Sequence, residues 1–138
     1  MDKKKILIIA RAIHPARYPR AFRATELAIE LAKQGHEVIL YAVLGDYDYT
    51  AFQERHHLKI KNIGKMWFAT INSDEKGRRN LLDKILGRLL NPIIAYPDFE
   101  YLFRIPRILK REKNIDLLIS IAAPHPIHWG CALAKTIH

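Results

Sequence analysis

The apolar positions fall into two kinds of pattern that alternate along the chain. Lys5-Ile-Leu-Ile-Ile-Ala10 is a short, continuous, branched apolar run, as expected of a strand buried on both faces in a parallel sheet. After a loop holding Pro15 and Pro19, Ala24, Leu27, Ala28, Leu31 and Ala32 recur at helical spacing, with Glu26, Glu30 and Lys33 on the other face. Gly35 is placed to cap that helix. A second apolar run, Glu37 to Leu44, follows at once, so residues 5 to 44 read as one β-α-β unit with a parallel pair and a right-handed crossover.

The pattern continues with less contrast. Thr50-Ala-Phe-Gln53 resembles a capping box and predicts a short helix before a strand at Leu58 to Ile63. Met66 to Ile71 reads as a further strand, Asn72 to Asn80 as a polar, basic loop, and Leu81, Leu82, Ile85, Leu86 and Leu89 as a helical stripe stopped by Asn91-Pro92. Asp98 is placed to cap a helical stretch towards Lys113, which Pro106 must kink or split. Asp116-Leu-Leu-Ile-Ser-Ile121 is the clearest late strand, and Ala122 to Pro126 turns it into a final helix containing Trp129, Leu133 and Ile137. This alternation predicts an α/β fold with a doubly wound, Rossmann-like, mostly parallel sheet flanked by helices, whose ligands gather at the carboxyl ends of the strands.

Composition narrows the class. At 138 residues, 49% hydrophobic and 27% charged, the chain is sized and composed for one soluble globular domain. The lone Cys131 cannot form an internal disulfide or a cysteine-rich zinc site, which fits a reducing, cytoplasmic setting. The apolar run after the three amino-terminal lysines is far shorter than a signal-peptide core or a membrane span. A formal charge of +9 would draw phosphate-bearing partners of several kinds: nucleic acid, an anionic membrane surface or a phosphorylated small molecule.

Several common doubly wound functions lack their motifs. No glycine precedes Gly35, so the glycine-rich dinucleotide turn after the first strand is missing. No phosphate loop ending in Gly-Lys-Ser or Gly-Lys-Thr occurs. Arg11 stands where a receiver domain would want acidic residues.

Three segments instead resemble the amino-terminal domain of GT-B glycosyltransferases, particularly family four, which transfer a sugar from a nucleotide donor with retention. Lys4 to Ala10 is similar to the family's opening strand. Thr25-Glu-Leu-Ala-Ile-Glu-Leu-Ala-Lys-Gln-Gly-His-Glu-Val38 is similar to its first helix and the start of the second strand. Asp116-Leu-Leu-Ile-Ser-Ile-Ala-Ala-Pro-His-Pro-Ile-His128 resembles a strand-to-helix turn with a proline pair and then a histidine. Arg11 to Pro19 departs from the glycines that members often carry in the first loop. The resemblance implies that residues 1 to 138 are the acceptor-side half of a GT-B enzyme, inactive alone. The paired glutamates and most of the donor site would lie in a carboxy-terminal domain of the same chain. It also implies a nucleotide-sugar donor in the full-length protein, with no cofactor or metal in this domain, and a glycan or lipid-linked acceptor.

Candidate site residues follow from both readings. Arg11, Arg17, Arg20 and Arg23 lie in the first loop and the start of the first helix, where each cation opposes the helix dipole by roughly 0.3–1 kcal/mol. A bound anion would offset that cost, so the set is a candidate for acceptor or phosphate binding, the alternative being a solvated basic face. His14 follows the first strand, and His125 and His128 follow the last; the resemblance implies that His128 touches the transferred sugar or its pyrophosphate, the alternative being a helix-start histidine bonded to backbone. His56 and His57, in an extended chain, point to opposite faces and disfavour a shared metal. Asp46, Asp48 and Asp98 lie in or beside loops, and none is singled out as a base.

Trp67-Phe68 through Arg78-Arg79 to the Leu81 helix combines apolar and basic side chains as a membrane-surface helix would, although its leucines would equally serve a core. A nucleic-acid module is a second reading, suggested by charge and by Tyr47, Tyr49, Trp67 and Phe68; the dispersal of basic residues and the lack of a recognised motif count against it. A self-contained flavodoxin-like small-ligand protein is a third.

Overall fold

The computed structural model describes residues 2–64, 98–121 and 125–137. Four strands, β1 (Lys5–Ile9), β2 (Glu37–Ala42), β3 (Lys59–Asn62) and β4 (Leu117–Ser120), form one parallel sheet in the order β3-β2-β1-β4. Helices α1 (Pro19–Lys33), α2 (Thr50–His56), α3 (Glu100–Leu109) and α4 (His125–Ile137) alternate with them. This is the doubly wound α/β architecture the apolar pattern predicts.

The continuous apolar runs exist because both faces of the sheet are covered. Ile6, Ile8, Val38 and Leu40 pack with Ala24, Ala28 and Ile29 of α1 on one side. Leu7, Ile9, Ile39 and Tyr41 pack with Tyr101, Ile105 and Leu109 of α3 and Ile127, Cys131 and Ala134 of α4 on the other. Pairing of Ile6 with Val38 and Leu7 with Ile39 keeps each residue on the face of its partner. Each such branched side chain contributes about 1.5–3 kcal/mol on burial.

The first two crossovers carry the chain outward from β1 through β2 to β3, and the chain then returns to lay β4 on the other side of β1. The order in which strands are added therefore reverses between β1 and β4, and the loops at their carboxyl ends flank the crevice where open α/β sheets place ligands.

Local details meet some of the sequence expectations and depart from others. Gly35 follows α1 with φ +89, as a left-handed helix end requires. The capping box at Thr50 does not form. The Thr50 hydroxyl donates to Asp48 Oδ1 at 2.6 Å, and Gln53 Oε1 accepts the backbone N–H of Ile60 at 2.7 Å, fastening α2 to β3. Asp98 does not cap α3 either, because its carboxylate is engaged by Arg11. Pro106 lies within α3 without splitting it. His56 ends α2, and His57 follows in the left-handed region at φ 52, so the two are not part of an extended strand. Trp129 and Leu133 lie on the outer face of α4 and are exposed, while Ile127, Cys131 and Ala134 face the core. The strand expected at Met66–Ile71, the loop at Asn72–Asn80, the Leu81–Leu89 helix and the Trp67–Arg79 membrane segment lie outside the described residues.

Candidate functional site

Arg11 leaves β1 one residue past the buried Ala10, and its Nη1 donates to Asp98 Oδ2 at 3.2 Å. Burial pushes the Asp98 carboxyl above its ordinary value, and the Arg11 charge opposes that rise. Asp98 Oδ1 and the hydroxyl of the fully buried Tyr101 have no hydrogen-bond partner among the described residues. Burial drives the Tyr101 hydroxyl well above the usual tyrosine range, with Arg11 opposing and Asp98 adding to it. Arg11, Asp98 and Tyr101 thus form one electrostatic neighbourhood under the start of α3.

His14 belongs to a different neighbourhood. Its backbone N–H donates to Thr25 Oγ1 at 2.9 Å, and its carbonyl accepts from the Tyr49 hydroxyl at 2.7 Å, which pins the first loop between α1 and α2. Its ring stacks on Phe52 with centroids 5.3 Å apart and meets the edge of Tyr47 at 5.6 Å. Arg17, Arg20 and Arg23 are exposed and form no ion pair with any described residue. The first turn of α1 holds no acidic residue and has no side-chain cap, so these cations stand beside unneutralised backbone N–H groups.

His125 opens α4 and is exposed. His128, one turn on, is half-buried, and its Nδ1 lies 2.5 Å from Ser120 Oγ at the end of β4. Both side chains line a groove of about 740 Å³ between β4 and α4. The groove runs from Ser120 and His128 at the carboxyl end of the strand down to Asp116 and Lys135, over an apolar floor that includes Leu118 and Cys131.

The seven predicted site residues therefore sit on the elements following β1 and β4, but in separate side-chain environments. Arg11 joins Asp98, His14 joins the aromatic cluster of α2, the remaining arginines face outward, and His128 joins Ser120. Tyr101 and Ser120 were not singled out by sequence, and Asp98 was named there only as a helix cap and as one of three loop carboxylates. Ser120 alone carried a local hint, as the one polar residue in an apolar strand. Among the described residues no group of three His, Cys, Asp or Glu side chains could hold a metal ion, and no helix is long and apolar enough to cross a membrane.

No protein-family model matches the chain, and no curated protein does. Among solved structures it is similar to a glycosyltransferase from Rickettsia africae ESF-5, with a TM-score of 0.52 and 18% identity. The likeness covers 100% of this chain and 28% of that one. The protein has the fold of part of a glycosyltransferase. It spans little more than a quarter of the length of that enzyme.

Proposed function

We propose that the chain is the acceptor-side, amino-terminal lobe of a GT-B glycosyltransferase of the retaining, family-four type. In the full-length protein it would help transfer a sugar from a nucleotide donor to a glycan or lipid-linked acceptor. The observation that carries this reading is topological: in a fold shared with part of a glycosyltransferase, the Arg11 and His128 segments follow the two strands that flank the reversal in strand order. On this reading Arg11, Arg17, Arg20, Arg23, His14 and His125 serve acceptor or phosphate groups. His128 contacts the sugar or its diphosphate, whose developing charge is stabilised by donors and helix dipoles.

The contrast between the two edges of the sheet supports a further lobe in the same chain, at the β4 edge. The β3 edge presents Lys59 and Lys61, charges that discourage strand pairing. The β4 edge is Leu-Leu-Ile-Ser, pairs only with β1 among the described residues, and has Leu117, Trp129 and Leu133 exposed around it. An apolar edge that no other described strand pairs with fits burial by more polypeptide. Contact with the cytoplasmic face of an anionic membrane, which would bring a lipid-linked acceptor within reach, belongs to the same reading and is compatible with the +9 charge.

The test is turnover by the full-length gene product. Incubation with a panel of nucleotide sugars and a lipid or oligosaccharide acceptor fraction should release nucleoside diphosphate, and His128→Ala should lower the rate at least about ten-fold, the loss of one transition-state contact. Absence of both donor binding and diphosphate release across the panel would overturn the reading.

A further inference from the structure

Where the chain enters α1, at the carboxyl end of the sheet, exposed rings and exposed cations are interleaved. Ala21, Ala24, Thr25, Ala28 and Ile29 are the buried side of the helix. Away from that side Phe22 is 66% exposed, and Tyr18 is 45% exposed. The Phe22 N–H donates to the Tyr18 carbonyl at 3.1 Å, so the two residues lie one turn apart. Between and beside them Arg17, Arg20 and Arg23 are all exposed, and none forms an ion pair with a described residue. The patch is bounded by acidic positions. Glu26 and Glu30 are exposed further along α1, and Asp46 and Asp48 are exposed in the loop after β2.

A partner has to meet two demands at once, since it must neutralise guanidinium groups and take apolar rings out of water. A soluble phosphate meets the first and leaves Phe22 in solvent. A nucleic acid laid along α1 or across to the loop after β2 runs onto those carboxylates within a turn or two. A plane that rests on the first turns alone meets the cations and the rings and leaves the carboxylates in water. An anionic bilayer is such a plane, with phosphates for the arginines and an acyl boundary for an inserted ring.

We propose that Arg17, Tyr18, Arg20, Phe22 and Arg23 form a docking patch for an anionic lipid surface, with Phe22 inserted below the phosphates and the carboxyl end of the sheet turned to the bilayer. The phosphates that Arg17, Arg20 and Arg23 serve are then those of lipid headgroups. Arg11, His14 and His128 follow strands at this same end, so a chain docked in this way presents its crevice to the lipid–water boundary. The patch gives a location to the membrane contact included in the function proposed above. The use of a lipid-linked acceptor rests on that function, whereas binding to a lipid surface does not.

The experiment is sedimentation of the 138-residue chain with vesicles of phosphatidylglycerol and phosphatidylcholine in equal parts, against vesicles of phosphatidylcholine alone, at about 0.1 M salt. The chain should sediment with the anionic vesicles and stay in solution with the neutral ones. Phe22→Ser should weaken the partition about ten-fold, the loss of one partly inserted ring. Arg20→Gln with Arg23→Gln should weaken it about twenty-fold, at roughly five-fold for each cation near the surface. Lys110→Gln with Arg111→Gln removes the same charge from exposed positions at the opposite end of the sheet, before β4 begins, and should cost less than about three-fold. All five side chains are exposed, so urea midpoints should match that of the parent chain. No binding to the anionic vesicles, equal binding to the neutral ones, no response to Phe22→Ser, or equal losses from the two charge pairs would overturn the proposal. So would a short oligonucleotide whose affinity falls as far as that of the vesicles on Phe22→Ser. The assay holds no nucleotide sugar, and turnover on a soluble oligosaccharide needs no bilayer, so the two tests fail independently.

Discussion

Replacing Glu112 by Gln should reveal how the end of α3 is tied to three strands. Glu112 Oε2 accepts from Lys5 Nζ at 3.1 Å, and its Oε1 accepts from the Tyr41 hydroxyl at 2.8 Å and from Lys61 Nζ. Its side chain is only 7% exposed, so these bonds operate away from bulk water. Burial alone would raise the carboxyl, but the hydrogen bonds from Lys61, Tyr41 and Lys5 outweigh it and hold the group at about 2, against 4.5 ordinarily. The Gln variant keeps an oxygen for one or two of these donors and loses the charge that strengthens them. A hydrogen bond to a charged group contributes about 1.5–3 kcal/mol, so the expected loss at pH 7 is about 1–3 kcal/mol. With a urea dependence of roughly 1–3 kcal/mol per molar, the denaturation midpoint should fall by about 1 M.

The pH dependence of that gap carries the stronger test. A carboxyl held lower in the folded state than in the unfolded state binds fewer protons when folded, so its stabilisation is complete above the unfolded value and is lost as pH falls through the folded one. The difference between wild type and Glu112→Gln should thus be full above about pH 4.5 and close between there and about pH 2. Paired urea titrations at pH 7, 4 and near 2.5 measure it. A gap that is the same at the lowest pH as at neutrality, or one below about 0.5 kcal/mol at pH 7, would refute the charge-assisted hub.

Other substitutions probe separate parts of the argument. A methyl group at Gly130 would lie 2.7 Å from the Tyr101 carbonyl and 3.1 Å from Ile105, so Gly130→Ala should force α3 and α4 apart and lower stability by about 1–3 kcal/mol in thermal unfolding. Tyr101→Phe removes a buried hydroxyl that has no described partner, so chemical denaturation should show no loss, or a gain of up to about 1 kcal/mol. Arg11→Ala withdraws the charge that opposes burial at Asp98, so a carbon-detected carboxyl titration should find Asp98 raised further. Since a raised carboxyl costs stability as pH climbs through its folded value, the deficit of Arg11→Ala should grow from acid to neutral pH. Leu133→Gln, on the exposed face of α4, should leave the stability of this chain within about 0.5 kcal/mol, as measured by urea denaturation.

What the sequence disclosed and what it withheld divide along a physical line. The runs Ile6–Ile9 and Val38–Ala42 are apolar at every position because both faces of each strand are covered, and a signal confined to four or five adjacent residues survives any tertiary arrangement. The stripe of α1 and the glycine beyond its end are local in the same sense. Side-chain pairings across the fold are not. Arg11 and Asp98 are 87 residues apart in the chain, and Glu112 meets Lys5 across 107, so no spacing rule could have joined them.

Where local and distant partners compete, the distant ones prevail here. Gln53 has the right spacing to return a hydrogen bond to the start of α2, yet it satisfies the Ile60 N–H, a donor at the sheet edge that β2 leaves open. Asp98 has the right chemistry to cap α3, yet the guanidinium that follows β1 offers a charged partner, and a charged donor outweighs a backbone amide. The same competition explains why the site was only partly legible. The strand order brings the segments carrying Arg11 and His128 to the carboxyl ends of two adjacent strands, as the alternating pattern implied. Which neighbour each side chain then takes is decided by groups such as Asp98, Phe52 and Ser120, whose proximity exists only once the chain has folded.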